Sequence, residues 1–180
     1  MAAGMDGFAL NCGGWSAFEP YYKRRVEAMY DAADRFDGAF ALFVSADGRA
    51  QDELEDIVRT VRGRRAQLMV VGRSMVSAYA LGGREGTHAS WLLATAQRLG
   101  AYFVPHLFPR TGEREIDANV AADIVERIGP ADGYFYFGAA GAPSLLARST
   151  RALAPALRNA GKTFMTPVTP YYRGLPQGTN

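Results

Sequence analysis

One unit recurs along this chain about every 30 residues: a helix-like stretch, a small-residue stop, then a short apolar strand between turn residues. The strands read as Gly7–Asn11, Ala39–Val44, Ala66–Val71, Ala101–Pro105, Gly133–Phe137 and Thr163–Pro167. Strands alternating with helical patterns at this spacing imply βα units and a parallel sheet. A parallel strand covered on both sides reads as a nearly unbroken apolar run, as these do, so helices must flank the sheet. The fold class is therefore α/β, either a β/α barrel or an open doubly wound parallel sheet.

Length narrows the choice. A complete barrel of eight βα units needs about 250 residues, and six units of this size exhaust a chain of 180. A barrel here would be incomplete. The first strand follows Met1 almost at once, and the sequence ends in the Pro/Gly stretch Leu175–Asn180, so the chain reads as part of a longer one. No linker or shift in composition divides it, and residues 1–180 are expected to form one domain.

Between the strands, Pro20–Arg35 carries Tyr22, Val26, Met29, Tyr30 and Ala33 at helical spacing behind a proline suited to a first turn. Ala50–Arg62 repeats the pattern, with acids at its start and arginines at its end. His88–Leu99 follows Thr87 as a cap and is closed by Gly100. Asp117–Ile128 and Ser144–Ala160 complete the set, with a kink expected at Pro155.

Composition excludes several functions. The net charge of +2 comes from nearly balanced acids and bases, and no basic cluster interleaves with aromatics as in nucleic-acid binding. The one basic knot, Arg62-Gly63-Arg64-Arg65, reads as a helix C-terminus whose cations complement the dipole. Cys12 stands alone, which rules out an internal disulfide and a CxxC metal site. It reads as a small buried hydrophobe, with no histidine near it in sequence to activate a nucleophile. The glycines at Gly72, Gly82 and Gly83 form no phosphate loop, so no cofactor or metal is expected. Neither a membrane-spanning stretch nor a signal peptide is visible.

In β/α folds functional residues sit at the carboxyl ends of strands and in the loops that follow. Asp6, Asp37 and Asp132 precede their strands and are read as turn residues on the opposite, stabilising face. The exits present Asn11, Cys12 and Trp15; Asp47; Ser77 and Tyr79; Glu85; His106; and Tyr171 and Tyr172. Polar groups mixed with Trp and Tyr suit a sugar-binding cleft, because aromatic faces stack on pyranose rings while amides and carboxylates take the hydroxyls. Each residue also has a plainer reading. Asn11 serves as a turn cap, Asp47 as an Asx turn into the next helix, His106 as a hydrogen-bonded structural imidazole, and Trp15 and Tyr171 as loop packing.

Read in order, the exits resemble glycoside hydrolase family 71, the α-1,3-glucanases or mutanases. Ala3–Asn11 is similar to that family's "AGIDAFALN" strand, Leu42–Asp47 to "FISFD", and Val76–Tyr79 to "VSTF". Tyr102–Pro105 resembles "FFVP", and Phe164–Tyr172 resembles "YMAPVSPWF". The resemblance implies an incomplete TIM (β/α)8 barrel of about six βα units, and a polysaccharide or oligosaccharide as substrate. It also implies an extracellular or periplasmic setting, since a polymeric glucan lies outside the cytoplasm. Oligomeric state is left open.

One departure stands out. After the strand matching Gly133–Phe137 the family reads "DGxFSWDxW", with the acids that carry hydrolysis, where this chain has Gly138-Ala139-Ala140-Gly141-Ala142. Inverting hydrolysis needs one carboxylic acid for the leaving oxygen and one carboxylate to activate water, roughly 6.5 to 9.5 Å apart. Two expectations follow. Either Asp47 and Glu85 act as a substitute catalytic pair, with Asn11, Trp15, Ser77, Tyr79, His106 and Tyr171 binding substrate, or the cleft binds carbohydrate without turning it over.

Overall fold

The computed structural model describes residues 5–17, 19–36, 38–79, 86–110, 115–137 and 142–166; Glu85 and Tyr171 lie outside them, as do Gly138–Gly141 of the departing segment. The parallel strands are β1 (Gly7–Cys12), β2 (Ala41–Ala46), β4 (Arg73–Ala78), β5 (Tyr102–Phe103), β6 (Gly133–Phe135) and β7 (Thr163–Met165). The short β3 (Met69–Val70) pairs antiparallel with β4. The helices are α1 (Pro20–Ala33), α2 (Leu54–Val61), α3 (Gly86–Arg98), α4 (Ala118–Ile128) and α5 (Pro143–Asn159).

Sequential strands lie side by side. β1 pairs with β2 over Gly7↔Ala41 to Cys12↔Ala46, β2 with β4 over Val44↔Val76 to Ala46↔Ala78, and β4 with β5 over Met75↔Tyr102 and Val76↔Phe103. The Asp132 N–H donates to the Phe103 carbonyl and the Phe135 N–H to the Pro105 carbonyl, both at 2.9 Å, which sets β6 beside β5. β6 then pairs with β7 over Gly133↔Thr163 to Phe135↔Met165. The order never reverses.

Side chains alternate across a strand, and the two faces of this sheet are covered differently. Leu42, Val44, Ala46, Val76, Ala78 and Phe103 point to a core that takes in residues of all five helices, among them Tyr30, Ile57, Leu92, Ile124 and Leu153. Phe43, Met75, Tyr102 and Val104 form a second cluster with Leu68, Val70, Phe135 and Met165, to which no helix contributes among the described residues. Helices on one face of a sheet wound in one direction are the arrangement of a β/α barrel. The arc is open among the described residues, so the fold is an incomplete barrel. The helix-free face is its interior.

Local sequence explains the elements. In α2 the buried Leu54, Ile57, Val58 and Val61 form one stripe, with Glu55 and Asp56 in the first turn and Arg59 in the last. α1 begins at Pro20, and α5 runs through Pro155 as one helix. The Asp117 carboxylate caps α4 by accepting from the N–H groups of Asn119 at 2.8 Å and Val120 at 2.9 Å. α3 starts at Gly86, so the expected cap Thr87 lies inside the helix.

The third strand needs a correction. Ala66–Val71 does touch β2, through Leu42 N–H to the Ala66 carbonyl and Leu68 N–H to the Leu42 carbonyl. The chain then doubles back at Val71-Gly72, with φ of 49° and 73°, and hands the barrel position to Arg73–Ala78. Positive φ at both residues is the two-residue type I′ turn, which matches the twist of a hairpin. Val71 is a β-branched residue in a left-handed conformation, which a hydropathy pattern does not foresee.

Of the acids assigned to the stabilising face, Asp37 lies outside the described residues, and Asp132 behaves as expected. Asp132 accepts from the Phe103 N–H at 3.0 Å and pairs with Arg73, whose guanidinium also lies 4.9 Å from the Tyr102 ring centroid. The basic knot is structural as well. Arg64 bonds Asp34 at 2.8 Å and Asp31 at 2.5 Å, and Arg62 donates to the Leu99 carbonyl.

Candidate functional site

Parity along the strands fixes which exit residues face the barrel interior. Asn11 is paired with Ser45 and Ser45 with Ser77, one step from the helix-facing Cys12, Ala46 and Ala78. Asp47 and Tyr79 follow two residues after Ser45 and Ser77. His106 follows Val104, and Phe137 follows Phe135, both of the interior cluster. The mouth of the barrel is thus lined in order by Asn11, Asp47, Tyr79, His106 and Phe137.

Tyr79 and His106 stack, with ring centroids 5.0 Å apart and planes 11° from parallel. Phe108 and Phe137 stand edge-on to Tyr79 at 5.9 and 5.1 Å, and Phe108 also meets His106 at 5.0 Å. The two phenylalanines leave 43% and 46% of their surface to solvent, high values for rings that have a core beneath them. Tyr79 is held from behind: its N–H donates to the Ala46 carbonyl at 2.8 Å, and its carbonyl accepts from Gln51 Nε2 at 2.6 Å.

His106 is 3% exposed. Its Nδ1 lies 2.9 Å from the Phe135 carbonyl and 3.4 Å from the Phe137 N–H. The shorter contact to an acceptor assigns the proton to Nδ1, which leaves Nε2 as a bare lone pair. Nε2 is buried and has no hydrogen-bond partner among the described residues. Burial pulls the imidazole pKa down to about 4, only partly opposed by the bond to Phe135, so the ring is neutral near pH 7.

Asp47 precedes a short 3-10 turn at Gly48–Glu53, yet its carboxylate makes no capping hydrogen bond. The Asx-turn reading therefore fails. The backbone there is tied instead through Asp47 N–H to the Cys12 carbonyl at 2.8 Å. Burial, and then the Asp47 charge, raise the pKa of the Tyr79 phenol, which puts the carboxylate within electrostatic reach of the aromatic wall. Asn11 is exposed beside it.

Two expected ligand contacts are corrected. Trp15 is fully buried, and its indole N–H donates to Asp56 Oδ2 at 2.7 Å, so its ring faces no ligand. Lys23 reaches the same oxygen at 2.7 Å. Burial opposes ionisation of Asp56, but the bonds from Lys23 and Trp15 outweigh it and hold its pKa below the usual carboxylate range. Glu53 completes this clasp by accepting from the Ser16 N–H, the Ser16 hydroxyl and the Ala17 N–H, fixing the β1–α1 loop at the rim. Ser77 is fully buried too, and its hydroxyl donates to the Val104 carbonyl at 2.7 Å. Cys12 is buried as expected, with burial pushing its thiol up to about 11.

Phe108 and Phe137 were missed by reading the sequence. For Phe137 the signal was present in its spacing, since it stands two residues beyond the interior Phe135 of β6 and so falls on the same face; Phe108 lies beyond the end of β5, where strand parity gives no such signal. Among the described residues no group of three or more His, Cys, Asp or Glu is placed to hold a metal ion, and no helix is long and apolar enough to cross a membrane.

Comparison with known proteins identifies relatives of this chain. A glucan endo-1,3-alpha-glucosidase, agn1 of Schizosaccharomyces pombe, is 31% identical over 134 residues, an alignment covering 67% of this chain and 30% of that protein. The chain thus spans less than a third of its relative's length. A solved structure described as the first monomeric dihydrodipicolinate synthase variant has 17% identity and a TM-score of 0.49, over 88% of this chain and 51% of the other. The model of glycosyl hydrolase family 71 matches residues 1–175, nearly the whole sequence, and the chain belongs to that family.

Proposed function

We propose that this chain forms the glucan-binding cleft of a glycoside hydrolase acting on α-1,3-glucan or a related polysaccharide, with Asp47 as its reactive carboxylate. The observation that carries the reading is Asp47 itself: an acid at a strand exit, facing the barrel interior, free of any capping bond and beside a partly exposed aromatic wall. A sugar polymer needs both kinds of group, apolar ring faces for its C–H surface and a carboxylate at the scissile oxygen. Asn11, at the next strand exit, offers an amide to a sugar hydroxyl. Residues 1–180 act as one unit in this reading. Glu85 is the second acid that the sequence offers, and Tyr171 a further stacking ring.

Hydrolysis divides the work between two carboxyl groups. One protonates the departing glycosidic oxygen while the other, ionised, removes a proton from the attacking water. A second reading is favoured by the segment Gly138–Ala142, which has no ionisable group where the family pattern it resembles has acids. In that reading the cleft recognises glucan without cleaving it.

The test is incubation with insoluble α-1,3-glucan, following reducing-sugar release and co-sedimentation for the protein and for Asp47→Asn. Turnover lost in the variant supports the hydrolase, by a factor of about 10² or more if Asp47 moves a proton. Sedimentation without turnover in either protein supports the binding homologue. The absence of both turnover and sedimentation would overturn the carbohydrate reading.

A further inference from the structure

We infer that the exits of β4, β5 and β6 form a subsite for a single pyranose ring, walled by Tyr79, Phe108 and Phe137, with His106 Nε2 accepting a hydrogen bond from one sugar hydroxyl. The inference rests on the carbohydrate reading of the cleft and assigns chemistry to a part of it for which the sequence offered only Tyr79 and His106. Two independent observations support it.

The first is the orphaned nitrogen. A buried acceptor with no partner is destabilising and rare in folded proteins. His106 Nε2 is such an atom in a ring only 3% exposed, and the tautomer set by Phe135 leaves it able only to accept. Tyr79 stacks on the imidazole and Phe108 and Phe137 meet it edge-on, and no polar group among the described residues satisfies Nε2. A hydroxyl donor from a ligand supplies what the protein lacks.

The second is the exposure of the rings around it. Phe108 and Phe137 present nearly half their surface to solvent at the mouth, each edge-on to Tyr79. Ring faces set at 76° and 78° to Tyr79 make a corner rather than a flat patch. A pyranose fits such a corner because one of its faces is C–H and its rim is hydroxyl. A purely apolar ligand would fill the walls and leave Nε2 unpaired.

The test uses a soluble α-1,3-linked gluco-oligosaccharide, calorimetry, and imidazole-nitrogen NMR of histidine-labelled protein, in which His88 and His106 are the only signals. In the free protein His106 Nε2 should resonate as an unprotonated nitrogen, and saturating sugar should move that resonance while leaving His88 in place. Phe137→Ala, a change at an exposed ring, should weaken binding by about two- to ten-fold. His106→Phe, which keeps the aromatic packing, should weaken it by about ten-fold. If the protein and Phe137→Ala bind equally well while Nε2 does not move, the subsite is overturned and the carbohydrate reading survives through Asp47 and Asn11. An unmoved Nε2 at saturation overturns the role of His106 whatever Phe137 does. No binding of the sugar by the unaltered protein overturns both readings together.

Discussion

Lowering the pH should expose the thermodynamic cost of keeping His106 neutral. Its folded pKa lies at about 4, against about 6.5 for a histidine in an unfolded chain. The unfolded state therefore binds its proton first as the pH falls. The neutral ring's stability is fully present above about pH 6.5, is lost progressively toward pH 4, and levels off below that. At 1.36 kcal/mol per unit the whole difference is about 3 kcal/mol, of which about 2 kcal/mol should be gone by pH 5. That is a large part of the 5 to 15 kcal/mol typical of a folded domain. The carboxylates held low by partners, Asp34 and Asp56 among them, lose stability in the same direction, so a single acid titration would not isolate the histidine. Urea unfolding of the protein and of His106→Phe, at about pH 7.5 and about pH 5, removes their contribution by subtraction. The unaltered protein should lose about 2 kcal/mol more than the variant over this interval. Equal losses would refute the claim that burial at the mouth depresses this imidazole.

Other consequences follow from single residues. Val71→Asn should raise stability by about 1 kcal/mol, seen as a higher melting temperature, because asparagine tolerates the left-handed φ of 49° and suits the first position of a type I′ turn before Gly72. Cys12 should resist thiol alkylation in the native protein at neutral pH and react at once in denaturant, since it is buried and its thiol is pushed up to about 11. Trp15→Phe should cost about 1 to 3 kcal/mol in denaturant unfolding, because it leaves Asp56 without its indole donor at a half-buried site.

The fold was legible because a β/α barrel repeats its grammar. Gly7, Asp37-Gly38 and Asp132-Gly133 mark strand entries, and the apolar runs after them were found to within a few residues in five of six places. The sixth failed for a physical reason. Ala66–Val71 has the composition of a barrel strand, and its first residues do pair with β2, but Gly72 and a strained Val71 turn it into the arm of a hairpin. Nothing in a periodicity argument separates such an arm from a strand. The family motif at Val76–Tyr79 pointed to the correct element all along, since it places the exit at Tyr79 rather than at Val71.

The site was legible by position and illegible by role. A strand exit tells which residues are near the mouth, but parity, hydrogen bonding and burial decide which of them is available there. Ser77 faces inward and spends its hydroxyl on the Val104 carbonyl, and Trp15 turns away from the mouth to bond Asp56. Asp47 shows the reverse: its sequence setting before Gly48 is that of an Asx turn, and the capping bond that reading requires is not made. His106 lies between these cases, since one nitrogen is satisfied by the Phe135 carbonyl and the other has no partner among the described residues. A group satisfied within the fold needs no further explanation, whereas an inward-facing polar atom left unpaired does. By that criterion the groups left to account for on this face are the Asp47 carboxylate and, among the described residues, His106 Nε2, with the half-exposed Phe108 and Phe137 packed beside the imidazole.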